Sequence, residues 1–368
     1  MFFVATRSGK ITEEALSALR ATLGAEAALP QFNTAATADA VRHYAHGRGD
    51  DNPLFCDTGY GHGTARGCCI APATFVLTCG FPRSRGLPGV HGLFTGIDLE
   101  CHRPIPVGSQ IVATSALHEL RERQGQFGGR QFQQTTVTRY RSDDGALFST
   151  LYSHAFRMER EQAGSSKKFA GLERKQYQDT DLAEVEAAYA REVGLRRGGQ
   201  TLCWEDVTIN EPLVDMVKGP LTVTDNIAFL IGFGTVFVKA HRLWYEFRSR
   251  HPGAGVKDEH GVWDVPERVH WDEHFARAIG MPGPYDYGPQ RIAWFDHRVS
   301  DWMGDAGWLR RLSVSLRAPN FVGDTTWIRG HVDSKSDDGT VTLALRAEDH
   351  RGRTTATATA TVELPRRR

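Results

Sequence analysis

The sequence carries no excess charge of either sign. Its 368 residues include 44 basic and 44 acidic side chains, and the isoelectric point is about 7.3. A protein that binds nucleic acid or an anionic membrane by electrostatics normally presents an excess of Lys and Arg. We therefore expect neither a nucleic acid nor a membrane as its partner.

Long apolar runs and paired cysteines are also missing. The run Met1 to Val4 is too short for a signal peptide, and no later run reaches the roughly 20 residues that a helix needs to cross a bilayer. We expect a cytoplasmic protein. None of the six cysteines stands in a CxxC pair, so neither a zinc site nor a disulfide framework is indicated. We expect reduced thiols, no metal and no cofactor.

The overall composition, with 40% hydrophobic and 24% charged residues, is typical of a soluble globular protein. The length suits two domains, and a charged stretch separates two halves. We place an N-terminal domain at residues 1–160, a linker with one helix at 161–200 and a C-terminal domain at 201–368.

Both halves run from helical to strand-like patterns, judged by apolar spacing of three or four and by alternation. In the first half we predict helices at 12–24 and 37–46, an apolar segment at 68–79 that fits a helix or a strand, and strands at 107–117, 131–140 and 147–158. In the second half we predict an apolar helix from Asn226 towards Phe237 with Asp225 as its cap, a helix at 291–302, and strands at 310–317, 325–333, 340–349 and 354–362.

An internal repeat accounts for this shared order. A shift of 215 residues places Asp57 on Asp272 and the Pro-x-x-Val-Gly run at 104–108 on the same run at 319–323. Both halves also contain an Asp-Asp-Gly turn, but the shift between the two turns is 194, which implies extra residues in the first half. Duplication explains these matches better than chance. In this alignment Phe55 lies opposite His270.

His270 stands just ahead of a helix. Trp271 and Asp272 follow it, and the Gly/Pro-rich turn 281–288 then opens onto the helical pattern. An imidazole exchanges protons near neutral pH, and free N–H groups at a helix start stabilise a developing oxyanion. This combination suits proton transfer next to a carbonyl. The alternative is a structural role in which His270 bonds Asp272.

Two stretches resemble the MaoC-like (R)-specific enoyl-CoA hydratases. The first-half run Gly-Asp-Asp-Asn-Pro-Leu at 49–54 is similar to the family's G-D-x-N-P-x-H motif. The second-half run His-Trp-Asp at 270–272, followed by Met-Pro-Gly-Pro at 281–284 and by Gly288, resembles its H-x-D and F-P-G-P…H-G stretches. The paired halves are similar to double-hotdog acyl dehydratases over residues 12–364. Asp50 is expected to close a turn on its own backbone.

The resemblance implies an α+β fold, a double hotdog in which a curved antiparallel sheet wraps a long helix in each half. It implies a hydro-lyase that adds water to a 2-enoyl thioester, or removes water from the (R)-3-hydroxyacyl thioester, on coenzyme A or a carrier protein. In such proteins one half commonly keeps the catalytic loop, and Phe55 in place of His favours the second half. Hotdogs frequently dimerise, so a homodimer is one assembly to expect. The acyl group stays open.

The same resemblance implies the site residues. His270 is the expected acid and base. The family's Asp lies five residues before its His, where this chain has Val265, so we name Asp264 and Asp286 as alternative sources of the carboxylate. The Gly288 N–H is the expected oxyanion donor. Tyr287, which replaces the family's second His, and Tyr285 are expected to bind the substrate.

Two other functions stay open. A hotdog thioesterase would use a carboxylate to hydrolyse the thioester, although the His-x-Asp loop ahead of the helix favours the hydratase. A non-catalytic acyl-binding subunit would need a partner with the complete site. The missing Asn-Pro of the second half and the missing His of the first half are consistent with that function.

Overall fold

The fold is built on one large antiparallel sheet. A computed structural model describes residues 9–81, 86–124, 130–159, 169 and 171–367. In this part of the chain the strands are β1 (Ala27–Ala28), β2 (His91–Cys101), β3 (Val112–Gln124), β4 (Arg130–Arg141), β5 (Leu147–Met158), β6 (Pro212–Lys218), β7 (Val256–Lys257), β8 (Trp263–Asp264), β9 (Trp308–Leu316), β10 (Thr326–Lys335), β11 (Thr340–Asp349) and β12 (Thr354–Glu363).

Helices precede the strands in both halves. The α-helices are α1 (Glu13–Arg20), α2 (Ala38–Gly47), α3 (Pro53–Cys56), α4 (Thr58–Gly63), α5 (Asp179–Leu195), α6 (Val223–Phe233), α7 (His241–Arg250), α8 (Glu273–Ala278) and α9 (Gly288–Met303). Short 3₁₀-helices lie at Ala73–Cys79, Trp204–Asp206, Pro252–Ala254 and Pro266–His270. Among these described helices, none combines the length and the apolar character that a bilayer crossing requires.

The ten-stranded sheet crosses from one half of the chain to the other. Its order is β1-β3-β4-β5-β2-β9-β12-β11-β10-β6, so first-half strands occupy one side and second-half strands the other. The seam is the pairing of β2 with β9, where Gly96 faces Ser315 and Glu100 faces Arg311. Along β2, Ile97 and Leu99 are buried and contribute to the core, whereas Asp98 and Glu100 between and after them are half-buried. This alternation is the expected signature of a strand with one apolar face.

Helix α9 lies in the core. Every residue from Pro289 to Met303 is buried, and Ile292, Phe295 and Val299 are completely so. The sequence spacing predicted this helix, and the structure extends it by one turn at its start. Pro289 suits a first turn because it has no N–H to satisfy. The helix ends at Gly304, whose φ of 65° is favourable for glycine.

Three pairs of backbone hydrogen bonds recur in the two halves. In the first pair, the Val107 N–H donates to Cys69 (3.0 Å) and the Val322 N–H to Pro284 (2.8 Å). In the second, Ala71 donates to Ile105 (2.8 Å) and Asp286 to Asn320 (2.9 Å). In the third, Gly108 donates to Ala36 (2.8 Å) and Gly323 to Leu221 (2.7 Å). Of the six first-half residues in these bonds, five have their second-half counterpart 215 positions later. The shift is 185 for Ala36 and Leu221, because the second half carries an extra segment that contains α7, β7 and β8.

The structure differs from the sequence prediction at three places, a helix, a strand and a helix cap. The apolar segment 68–79 contains a 3₁₀-helix, Ala73–Cys79, which occupies the place that the start of α9 has in the second half. Strand β3 begins at Val112 and not at residue 107, because residues 106–108 form a turn. Helix α6 is capped by Thr222, with Asp225 as the reciprocal partner in a capping box, so the prediction of Asp225 as the cap is wrong.

The six cysteines are all free thiols, and Cys69, Cys79 and Cys101 are buried. The linker helix α5 exists, and its buried Val185 and Ala188 pack against Val217 of β6. The linker helix therefore rests on the second half.

Candidate active site

His270 is the last residue of the 3₁₀-helix Pro266–His270 and lies two residues before Asp272, the cap of α8. The Oδ1 of Asp272 accepts the Phe275 N–H at 2.8 Å, and its Oδ2 lies 3.6 Å from Arg268. Asp57 caps α4 in the same way in the first half. Within the described residues, Asp272 makes no hydrogen bond to the imidazole. Its structural role is to start a helix, and the ring of His270 is left for other partners.

The imidazole of His270 has a defined tautomer. Its Nδ1 lies 2.9 Å from the carbonyl oxygen of Tyr285. A carbonyl only accepts hydrogen bonds, so Nδ1 must carry the proton, and in the neutral ring Nε2 is left with a lone pair. Desolvation lowers the pKa of His270 to about 4, so the ring is neutral near pH 7. A neutral ring with a free Nε2 lone pair is equipped to act as a base.

Two tyrosines enclose this ring. Tyr287 stacks on it with ring centroids 3.7 Å apart, and Tyr285 meets it edge to face at 4.9 Å. The Tyr287 hydroxyl is buried and has no hydrogen-bond partner among the described residues. A buried hydroxyl without a partner costs roughly 1–3 kcal/mol. Such a cost is expected where a ligand supplies the missing partner.

Gly288 begins α9 next to Tyr287. Its N–H makes no hydrogen bond to any described backbone carbonyl, as is usual in the first turn of a helix. A Cβ at this position would lie 2.9 Å from side-chain atoms of Phe94 and Leu316, so glycine allows the close approach of β2 and β9. Two hydrogen-bond donors, the Tyr287 hydroxyl and the Gly288 N–H, therefore belong to consecutive residues.

Asn226 is a site residue that sequence reasoning missed. It is buried in the first turn of α6, and its Nδ2 donates to the carbonyls of His270 (2.8 Å) and Tyr285 (3.1 Å). Its Oδ1 is buried without a partner in the described part of the chain. The sequence signal that could have identified Asn226 is a single amide among the apolar residues of α6. Because Asn226 lies at the predicted start of the helix, it was easy to interpret as part of the helix cap.

The two predicted carboxylates do not reach the imidazole. Asp286 is buried and forms an ion pair with Arg291 (Nε to Oδ2, 2.5 Å), while Asn320 donates to both of its oxygens at 3.1 and 3.0 Å. Burial raises the pKa of Asp286 to about 6, against the opposing effect of Arg291. Asp264 accepts the Val265 N–H at 2.7 Å and lies 3.8 Å from Arg268. Neither forms a hydrogen bond to His270 among the described residues.

The first half lacks this chemistry at every matching position. The 215-residue shift pairs His270 with Phe55, and Tyr285, Asp286, Tyr287 and Gly288 with Ile70, Ala71, Pro72 and Ala73. Helices α2 and α6 start in the same way, because Thr37 caps α2 and Thr222 caps α6. Val41 lies four residues after the first cap and Asn226 lies four residues after the second, so these two positions match. None of the first-half counterparts has a polar side chain.

The first-half motif instead forms part of a buried ionic cluster. Asp50 closes a turn by accepting the Asn52 N–H at 2.8 Å, as predicted, and its Oδ2 pairs with Arg48 at 2.5 Å. Arg48 also pairs with Asp296 of α9 at 2.7 Å. Because Arg48 is completely buried, these pairs bind the end of α2 to α9 without contact with water.

Asp50, His297 and Asp301 are close enough together to be considered as a metal site. However, Lys218 Nζ lies 3.1 Å from His297 Nδ1. An ammonium only donates, so Nδ1 accepts and Nε2 carries the proton, which removes the lone pair that a metal would need. The Nε2 atom lies 3.5 Å from Asp50 and 3.4 Å from Asp301. We therefore interpret the group as an ionic cluster that joins the two halves.

Comparisons with known proteins give a family-model match and a relative. Residues 21–150 match the family model described as the FAS1-like dehydratase domain region, a range that includes Phe55 and excludes His270. A UPF0336 protein of Parafrankia sp. is 31% identical over 91 residues, which cover 22% of this chain and 59% of that protein. The chain thus spans less than two thirds of this relative.

Solved structures match over nearly the whole chain. A MaoC-like dehydratase superposes with a TM-score of 0.65 at 19% identity, covering 94% of this chain and 99% of that one. A MaoC domain protein from Chloroflexus aurantiacus gives a TM-score of 0.57 at 13% identity, covering 94% and 96%. At these identities the likeness is one of fold. The resemblance found in the sequence is confirmed: the chain has the fold of the MaoC-like dehydratases, and residues 21–150 match the model of the FAS1-like dehydratase region.

Proposed function

We propose that the protein is an enoyl-thioester hydratase, a hydro-lyase that adds water to a 2-enoyl thioester or removes it from the 3-hydroxyacyl thioester. The observation that carries the proposal is the state of His270. Its Nδ1–H is bound to the Tyr285 carbonyl, so Nε2 keeps its lone pair, and among the described residues neither the hydroxyl of the stacked Tyr287 nor the N–H of the next residue, Gly288, has a hydrogen-bond acceptor. Hydration of an enoyl thioester needs these components: a base for water, an acid for C2 and donors for the enolate oxygen.

The proposed architecture is two hotdog units, at residues 1–160 and 201–368, joined by the linker 161–200. The recurring backbone hydrogen bonds and the division of the sheet at the seam of β2 and β9 support it. The proposed catalytic unit is the second, because the first has Phe55 and other apolar residues at the matching positions. The function itself rests on the second-half site, since the matched family region excludes His270.

In the proposed reaction, His270 Nε2 removes a proton from water as the oxygen adds to C3 of the enoyl group. The electron pair of the double bond moves towards the thioester carbonyl. The Gly288 N–H and the Tyr287 hydroxyl donate to the resulting enolate oxygen, and protonated Nε2 then returns its proton to C2. One C–O bond and one C–H bond form, while one O–H bond of water and the π bond between C2 and C3 break. Each donor or proton-transfer group is expected to contribute about 10²–10⁴ in rate.

A single histidine suffices in this scheme. Because the pKa of His270 is lowered to about 4, its protonated form is a strong acid that readily returns the proton to C2. The carboxylates Asp264 and Asp286 then remain structural. The proposed substrate is a thioester of coenzyme A or of a carrier protein, the proposed assembly includes a homodimer as one form, and the acyl group stays open.

The thioesterase alternative is less well supported by the site. It needs a carboxylate that can reach the thioester carbonyl or a water molecule beside it. The Asp286 oxygens are occupied by Arg291 and Asn320, and Asp264 bonds the backbone of Val265. The partner-dependent acyl-binding subunit is favoured by one observation: among the described residues, no carboxylate forms a hydrogen bond to the imidazole. The experiment below tests this alternative.

The test is the loss of the conjugated-thioester absorbance of a trans-2-enoyl-CoA panel, with the wild type, His270→Ala and the mirror variant Phe55→Leu measured together. We expect the His270→Ala rate to fall by about a thousandfold or more, and Phe55→Leu to stay close to the wild type. Equal rates for His270→Ala and the wild type would refute the assignment. A wild type inert on CoA and carrier-protein thioesters alike would favour the acyl-binding subunit.

A further inference from the structure

Asn226 occupies a position where a buried amide needs a reason. It lies on the first turn of α6, is 1% exposed, and follows a complete capping box between Thr222 and Asp225. The helix end is therefore already satisfied without it. On the same buried side, Phe229 and Phe233 are apolar, and the first half has Val41 at the matching place. A buried amide is unfavourable unless its hydrogen bonds are made, so packing alone would select an apolar side chain.

Both side-chain hydrogen bonds that Asn226 makes within the described residues go to backbone carbonyls next to the imidazole of His270. One Nδ2 proton is directed to the carbonyl of His270 and the other to the carbonyl of Tyr285. The Tyr285 carbonyl also accepts the His270 Nδ1–H. The amide thus fixes both the backbone that carries the ring and the acceptor that determines which ring nitrogen is protonated. In many catalytic histidines a carboxylate does this, and its loss costs up to about 10⁴ in rate because the tautomer changes.

We propose that Asn226 is a positioning residue that holds His270 in the Nδ1–H tautomer through the Tyr285 carbonyl, in place of a carboxylate. This inference rests on the proposed function for its effect on rate, but not for its effect on the tautomer. It explains why His270 has a defined orientation although neither Asp264 nor Asp286 bonds the ring. It also explains why the amide and the imidazole occur together in the second half and are both missing from the first.

The main variant is Asn226→Val, which introduces the residue that the first half has. Thr222→Ala is the matched control, because it removes the cap of the same helix and leaves the amide in place. Two quantities are measured for each: the protonation of the two His270 nitrogens by ¹⁵N NMR near pH 7, and kcat and KM on an enoyl-CoA substrate. If Asn226→Val does not fold, Asn226→Ala removes the same two donors with a smaller side chain.

We expect Asn226→Val to give a mixture of the two tautomers and a kcat lowered by about 10²-fold, with KM nearly unchanged. Thr222→Ala is expected to keep the wild-type tautomer. A variant at Asn226 that retains the wild-type tautomer and kcat overturns the proposal. If the wild type hydrates no enoyl thioester but the variant still shifts the tautomer, positioning stands and the hydratase function fails. If the wild type is active and the variant changes neither quantity, only the positioning role fails.

Discussion

The rings of His270 and Tyr287 lie face to face, with centroids 3.7 Å apart and planes inclined by 28°. The stack places the phenol directly over the proposed base while the hydroxyl has no partner among the described residues. An aromatic pair of this kind is worth about 0.5–1.5 kcal/mol beyond its buried area. The ring of Tyr287 is therefore expected to affect the stability of the fold, and its hydroxyl is expected to affect the proposed reaction, so the two effects can be measured separately.

Tyr287→Phe separates them. The variant keeps the stack and removes a buried, unpaired hydroxyl, so we expect the free energy of unfolding to stay the same or to rise by about 1 kcal/mol. If the hydroxyl binds the thioester carbonyl, kcat falls by about 10²–10³-fold. Denaturant unfolding and enoyl-CoA kinetics on the same preparation check this. A variant that is clearly less stable, or as active as the wild type, would contradict the interpretation.

The lowered pKa of His270 predicts an unusual pH dependence of activity. The base must be neutral, so kcat/KM is expected to be nearly flat from about pH 6 to 8 and to fall as the pH drops through about 4 to 5. A histidine with an ordinary pKa near 6.5 would already lose activity below pH 7. A pH profile of kcat/KM distinguishes the two. An acid limb at pH 6.5 would show that the ring is more hydrated than the structure indicates.

Stability has a related signature. Since the pKa of His270 is about 4 in the folded chain and 6.5 in the unfolded one, the unfolded chain binds more protons between these values, and stability is lost as pH falls from 6.5 to 4. The raised pKa of Asp286 acts in the opposite sense between about pH 4 and 6. The informative quantity is therefore the difference between wild type and His270→Ala. The wild type should lose up to about 3 kcal/mol more over this window.

Asp264→Asn and Asp286→Asn test whether either carboxylate has a catalytic role. Asp264 is half-buried and bonds only local groups among the described residues, so we expect Asp264→Asn to keep activity within about twofold. Asp286→Asn leaves the buried Arg291 without its counter-ion, which is expected to cost about 3–5 kcal/mol of stability. Kinetics and urea unfolding of both variants provide the measurement. A folded, stable variant of either residue with a thousandfold lower kcat would identify that carboxylate as catalytic.

Arg48→Met probes the joint between the halves. It leaves Asp50 and Asp296 buried without their shared cation, so the free energy of unfolding should fall by about 3–5 kcal/mol. Activity per folded molecule should persist, because none of these groups contacts His270 among the described residues. Arg42→Met, on the exposed face of the same helix and paired with Asp39, is the control and should change stability by less than about 1 kcal/mol. Equal effects of the two substitutions would count against the cluster as a joint.

The sequence predicted best those elements whose pattern is local. Helix α9 and strands β9 to β12 were located within a few residues, because their apolar spacing is regular and their turns carry Asp and Gly. Strand β2 was missed, since one of its two neighbouring strands is β9, which comes from the other half of the chain. Its first residues, His91 and Gly92, also have little strand character.

The site was predicted less completely, for a similar reason. His270, Tyr287 and Gly288 lie within a recognisable stretch, and the structure stacks the rings of His270 and Tyr287. The surroundings of Asp286 come from Asn320, 34 positions away, and no spacing rule indicates that Asn320 occupies both carboxylate oxygens. Asn226 reaches His270 across 44 positions. Contacts of this range depend on how helices pack, which a single sequence does not reveal.

The seam between β2 and β9 gives the first half a structural role of its own. Removing residues 1–160 would leave β9 with a bare row of backbone donors and acceptors from Arg311 to Ser315, and such an edge recruits strands of other molecules. It would also strip α9 of Arg48 and of the apolar residues that cover it. The first half therefore covers a strand edge that would otherwise be free to pair with other molecules, and this structural role does not depend on which half carries the chemistry.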